Sequence, residues 1–195
     1  MPDFRIRLLL LYLALCAGMA NAQSPRHEVL PLDAARSQAS FTVKVLWLLG
    51  LDGDFGAVRG QLDIDHFRGT GRVDAFIDVD DLHMRSGNYE RWAKSAEFFD
   101  ASRYPRIHFV SGDFPLVRLT RGGVLDGTLT LRGIDKPARF HILPSACARP
   151  LQGGCAVEAQ GSIARDDFGM HSRRGTLANK VALRLRIVVA AEPVP

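Results

Sequence analysis

The sequence predicts an all-β chain of eight or nine strands, a barrel or a sandwich, on three observations. Apolar and polar residues alternate with a period of two in segment after segment, as in strands with one buried face. Glycine-containing turn signals follow at short intervals: Asp52-Gly53, Arg68-Gly69-Thr70-Gly71, Arg121-Gly122-Gly123 and Gly133. Helical spacing dominates only one stretch, Met84–Phe109, so the β–α alternation of a doubly wound fold is missing.

The elements follow in order. Glu28–Leu32 reads as a first strand, and in Ser40–Leu46 the residues Phe41, Val43 and Val45 share one face. Trp47–Leu51 is apolar without a period and runs into the Asp52-Gly53 signal. Phe55–Val58 and Gln61–Asp65 form a strand bent at Gly56 and Gly60. In Arg72–Asp80, Val73, Ala75, Ile77 and Val79 point inward. The helix comes next: Ser86 or Asn88 suits its cap, Tyr89, Trp92, Ala93 and Ala96 share a face, and Tyr104-Pro105 ends the element. Ile107 and Phe109 resume the alternation, and Val117 and Leu119 lead to the Gly122-Gly123 hairpin signal. Leu125, Gly127, Leu129 and Leu131 make the next inward face, and Ala138–Leu143 and Ala156–Ile163 are strands. Asp166–Met170 is a loop with a short turn, and Val181, Leu183, Leu185, Ile187 and Val189 face inward in the last strand.

Met1–Ala22 reads as a cleaved signal peptide. Arg5 and Arg7 precede the apolar run Leu8–Leu15, and Ala20-Asn21-Ala22 is a small-x-small cleavage site. Leu15 stands before Cys16 where lipidation needs a small residue, so a lipid anchor is disfavoured. The remainder, 23–195, is a single domain with no further run long enough for a stable membrane span. A formal charge of +4 without a basic block speaks against nucleic acid as a partner. Cys147 and Cys155 remain after cleavage, and in an exported chain they pair as a disulfide across a loop containing Pro150 and Gly153-Gly154. Closing that loop contributes about 2–3 kcal/mol in the chain-entropy view.

Chemistry is sparse. The six histidines form no HxH, HxxxH or HExxH spacing, so no metal site is expected. There is no GxSxG elbow, P-loop or dinucleotide fingerprint. His108 and His141 lie in strands and can meet a carboxylate only through the fold. A pocket enzyme built on either therefore stays as an alternative, beside a filled barrel serving as a stress-response or protein-interaction module.

Five blocks in consistent order resemble one family. They are Ser40–Val45 followed by Gly50; Phe55–Asp65; Ser86-Gly87-Asn88 with Ser95–Asp100 and Tyr104-Pro105; Leu129–Pro137 (LTLRGIDKP); and Arg165–Met170 (RDDFGM). Across about residues 28–191 the chain is similar to the YceI-like family. The resemblance implies an antiparallel, eight-stranded lipocalin-like barrel with one inserted helix after the fourth or fifth strand. It also implies a periplasmic or secreted location, an isoprenoid (polyprenyl or quinone tail) as the apolar partner, no cofactor and no catalytic residue. On that expectation the ligand-binding walls include Phe41, Val43, Val45, Val73, Ile77, Phe109, Leu129, Leu131, Leu183 and Leu185. Trp92, Phe98, Phe99 and Phe168 shape the mouth, and Arg91 and Arg165 are candidates for a polar head group. Self-association as a homodimer is left open.

Overall fold

A chain that alternates so regularly owns one continuous apolar face, and the sheet curls to turn that face inward. The computed structural model describes residues 27–147, 149–152 and 154–190. The expected signal peptide Met1–Ala22, with Cys16, lies outside the described residues.

Among those residues twelve strands form one sheet. They are β1 (His27–Pro31), β2 (Gln38–Val45), β3 (Leu49–Phe55), β4 (Arg59–Asp65), β5 (Thr70–Asp78), β6 (Leu82–Met84), β7 (Arg106–Ser111), β8 (Phe114–Pro115), β9 (Gly123–Leu131), β10 (Ile134–Ile142), β11 (Ala156–Ala164) and β12 (Leu177–Val188). Two helices interrupt them, α1 (Gly87–Lys94) and α2 (Arg118–Arg121). The hydrogen-bonded order is β1-β4-β5-β7-β9-β10-β11-β12-β2-β3-β6, with β8 beside β5, and the pairings are antiparallel. Late strand β12 lies against early strand β2, and a bridge from Leu32 to Val189 ties the two ends of the described chain together.

The strand count exceeds the eight expected because long runs break at kinks. Asp33–Ser37 separates β1 from β2. Ser37, fully buried, anchors that break: its hydroxyl donates to the Val188 carbonyl at 3.2 Å and accepts from the Val188 N–H at 3.0 Å. Gly56–Val58 separates β3 from β4, and a 3-10 turn at Val79–Asp81 separates β5 from β6. Helix α1 consequently follows the sixth strand, not the fourth or fifth.

Three local expectations are corrected. Asp52-Gly53 is no turn but the middle of β3. Gly53 faces Phe41 in register, and a Cβ there would sit 2.4 Å from the Phe41 ring, so the glycine makes room for an aromatic. The chain reverses instead at Leu46-Trp47, both in the left-handed region. Helix α1 stops at Lys94, ten residues before Tyr104-Pro105, because Ser95 turns extended at ψ 169° and its hydroxyl takes the Trp92 carbonyl at 2.7 Å. Arg118–Arg121, expected to lead into a hairpin, coils into α2 and buries Leu119.

Of the expected caps, Ser86 takes the N-cap position, without a side-chain capping bond. Cys147 and Cys155 are bonded to each other in the loop between β10 and β11. No helix among the described residues is long and apolar enough to cross a membrane.

Candidate functional site: an apolar cavity

The inward face does not close on itself completely. A cavity of about 220 Å³ runs inside the curled sheet, with walls that are almost wholly apolar. At one end lie Met84, Tyr89 and Trp92 from the β6–α1 segment; at the other lie Phe114 and Leu119. The volume is below the ~300–1,000 Å³ of ordinary small-molecule pockets. So small an apolar space suits a thin chain better than a bulky ring system.

Aromatic rings divide this space. Phe41, Phe55 and Phe99 form a cluster with centroids 5.8–6.0 Å apart, and Phe109 packs edge-on to Phe140 at 5.2 Å. Phe140 stands opposite Gly161, where a Cβ would lie 2.7 Å from the ring. Glycine across from phenylalanine thus recurs on two strand pairs, and each makes room for a large ring.

The helix end is held by polar contacts. Lys94 donates to Glu90 at 3.0 Å and to the Asp80 carbonyl at 2.9 Å, fastening α1 to the turn after β5. Lys94 and the Met84 N–H hold the Glu90 carboxyl below the ordinary glutamate range. Trp92 packs edge-on to Phe98 at 4.5 Å and donates its indole N–H to Glu97 at 2.6 Å. Arg173 lies 5.8 Å over the Trp92 ring and pairs with Glu97 at 3.3 Å. The indole first, and then Arg173, keep the Glu97 carboxyl below its ordinary range. Trp92 is therefore a rim residue of fixed orientation, with its one polar atom satisfied.

The expected site residues divide clearly. Phe41, Val43, Val73, Ile77, Phe109, Leu129, Leu131, Leu183 and Leu185 line the cavity, as do Trp92, Phe98 and Phe99. Val45 packs against the core but lies above the lining. Phe168 is buried in the core beneath the Arg165–Phe168 turn and does not reach the cavity. Arg91 is exposed on α1, hydrogen-bonded to Asn88 and away from the lining.

Arg165 touches the cavity, but its guanidinium is committed elsewhere. It donates to the carbonyls of Ala178 (3.0 Å), Met170 (2.9 Å), Ser172 (3.0 Å) and Leu177 (3.3 Å). Burial lowers its pKa from the ordinary arginine value. An Arg that satisfies so many carbonyls fastens the 170–178 segment to the sheet and has little left for a head group.

The wall extends beyond the expected set. Phe55, Ile107, Leu125, Phe140 and Ile187 all line the cavity. The period-2 rule reaches each of them, but which inward positions flank empty space and which flank another side chain depends on curvature.

The histidines of the enzyme alternative face away. His108 pairs with Asp74 at 2.7 Å on the outer surface of β5 and β7, where neither lines the cavity. His141 is exposed in an outer groove beside Arg139 and Lys136. Among the described residues no group of His, Cys, Asp or Glu is arranged to hold a metal ion.

Comparison with known proteins agrees with this geometry. A family model described as the YceI-like domain matches residues 31–189. A UPF0312 protein of Photorhabdus laumondii is 24% identical over 182 residues, 90% of this chain and 94% of the relative. The crystal structure of BcnA from Burkholderia cenocepacia superposes with a TM-score of 0.66 at 22% identity, covering 80% of this chain and 98% of that one. A polyisoprenoid binding domain from Saccharophagus degradans superposes with a TM-score of 0.61 at 13% identity, covering 85% and 98%. At such identities the two structures speak for the fold.

Proposed function

The chain belongs to the YceI-like family, and on that premise we propose that it is an exported, non-catalytic carrier holding one isoprenoid tail, polyprenyl or quinone, inside the sheet. The observation that carries the reading is the enclosed apolar cavity, open space that a packed core would have filled. Each buried methylene of a ligand contributes about 0.8 kcal/mol, so apolar walls alone can retain the short stretch of isoprenoid chain that the cavity encloses. The polyisoprenoid binding domain of similar fold adds support.

On this reading the twelve segments act as roughly eight continuous runs of a lipocalin-like barrel. The kinked pairs β1–β2, β3–β4 and β5–β6 each count as one run, and β12 against β2 closes the ring. The predicted leader and the Cys147–Cys155 bond favour a periplasmic or secreted location.

The test is native mass spectrometry of protein expressed with its own leader, followed by solvent extraction and identification of the lipid. A stoichiometric isoprenoid is expected in the parent. Ala159→Trp, which fills the cavity from the β11 wall, should lose it while keeping the β-rich circular dichroism spectrum. An empty parent that also takes up neither added polyprenyl nor added quinone would sink the carrier and favour a packed interaction module.

A further inference from the structure

The hairpin tip between β2 and β3 has a composition that solvent does not explain. Leu46, Trp47, Leu48 and Leu49 are 57%, 74%, 87% and 67% exposed, in a position where hairpins usually place Asn, Asp or Gly. Leu46 and Trp47 moreover adopt φ of 49° and 65°, a region that bulky residues avoid. Four apolar side chains therefore protrude into water on a strained turn that a polar pair would form more easily. Strain of this kind in an exposed segment points to a function.

The tip belongs to the cavity's helix end. Leu46 donates its N–H to the Thr176 carbonyl at 2.7 Å, and three residues earlier in that loop Arg173 covers Trp92 at the rim. Tyr89, half-exposed, continues the aromatic surface from the rim.

Cations stand on the segments next to it. Lys44, two positions from the end of the hairpin, and Arg85 and Arg91 of the β6–α1 segment are exposed, and none of them forms an ion pair among the described residues. Asp52, an acid on the same hairpin, accepts a hydrogen bond from Thr42 at 2.5 Å.

We propose that the Leu46–Leu49 tip, flanked by Lys44, Arg85 and Arg91, docks the cavity mouth onto an anionic phospholipid surface. A convex tip of four residues is too small for a protein interface of ~800 Å² per partner. It matches the shallow insertion of Trp and Leu at the headgroup boundary, with basic residues answering the lipid charge. Docking sets the rim against the bilayer, so a tail passes between membrane and cavity without crossing water. That last step rests on the carrier reading; the docking itself does not.

The experiment is co-sedimentation of the purified protein with vesicles of phosphatidylglycerol and, separately, of phosphatidylcholine, neither containing isoprenoid. Uptake of added polyprenyl or quinone from detergent is read in parallel by native mass spectrometry. The parent should sediment with the anionic vesicles, less at high salt, and weakly with the neutral ones. Trp47→Ser with Leu48→Ser should reduce vesicle binding by roughly tenfold or more while leaving uptake and melting temperature intact. Lys44→Glu with Arg85→Glu, which leaves the tip apolar, should reduce binding to the anionic vesicles alone.

Failure of the parent to sediment with phosphatidylglycerol overturns the docking. So do equal binding by the tip variant and a parent dimer that the tip variant dissolves in sedimentation velocity, which would make a second copy the occupant. Vesicle binding without any ligand uptake leaves the docking standing and removes the carrier.

Discussion

Two hairpins at the same end of the sheet make nearly the same backbone turn with opposite chemistry. Between β9 and β10, Arg132 and Gly133 have φ of 54° and 68°; between β2 and β3, Leu46 and Trp47 have 49° and 65°. The first pair includes the residue that the left-handed region favours. It is folded down onto the mouth: Arg132 donates to the carbonyls of Ala96 (3.1 Å) and Phe98, and Gly133 lies against Tyr104. The second pair lacks glycine and stands out in water, closed by the Leu48 N–H on the Val45 carbonyl at 3.1 Å and braced by the backbone bond to Thr176. One turn is made for stability of the rim, and the other gives up local stability to expose apolar surface.

The sharpest way to break this contrast is to remove the glycine. Gly133→Val forces a β-branched residue to positive φ and brings its Cβ to 2.8 Å from the Tyr104 ring. We expect a loss of about 3 kcal/mol, measured by urea denaturation.

The converse change at the other turn should have the opposite sign. Trp47→Gly relieves left-handed strain and gives up little packing, since the indole is exposed, so stability should rise by about 0.5 kcal/mol after the entropy of a new glycine is counted. A fall in stability would show that the indole packs on the loop beneath it.

The smallest effect concerns Glu97, which lies between the two hairpins, in the segment clamped by Arg132 and paired to Arg173. Its pKa is lowered in the folded protein, so its contribution is present above the unfolded glutamate value of about 4.3 and is lost as pH falls through the folded value. Thermal melts between about pH 3 and pH 6 should therefore fall with acid more steeply in the parent than in Glu97→Gln. Identical slopes would assign the acid sensitivity to other carboxylates.

The same pair of hairpins shows why some of the fold is legible in the sequence and some is not. Gly133 announces its turn because glycine relieves a steric restriction that acts within a residue or two. Leu46-Trp47 announces nothing, and Asp52-Gly53 announces a turn that is not made, because Gly53 answers to Phe41 across the strand pair. Alternation, which is local, finds the walls. It misplaces Val45 because lining a cavity depends on how far the sheet has curled at that level, and Phe168, expected at the mouth from the resemblance, is buried in the core by the Arg165–Phe168 turn. Arg165 looks like a free charge in sequence, since the carbonyls that engage it lie on a segment whose path is set only by folding.

The sequence by itself determined that the chain is β-rich, that one face of each strand is apolar, and that its family is YceI-like, because period-2 patterning and motif order are properties of neighbours along the chain. The tertiary structure alone decided that β12 meets β2, that the enclosed face leaves about 220 Å³ unfilled, and that the apolar Leu46–Leu49 tip stands beside the mouth. Those outcomes depend on curvature and on contacts between residues more than a hundred positions apart, whose geometry is fixed only when the whole sheet has curled around its core.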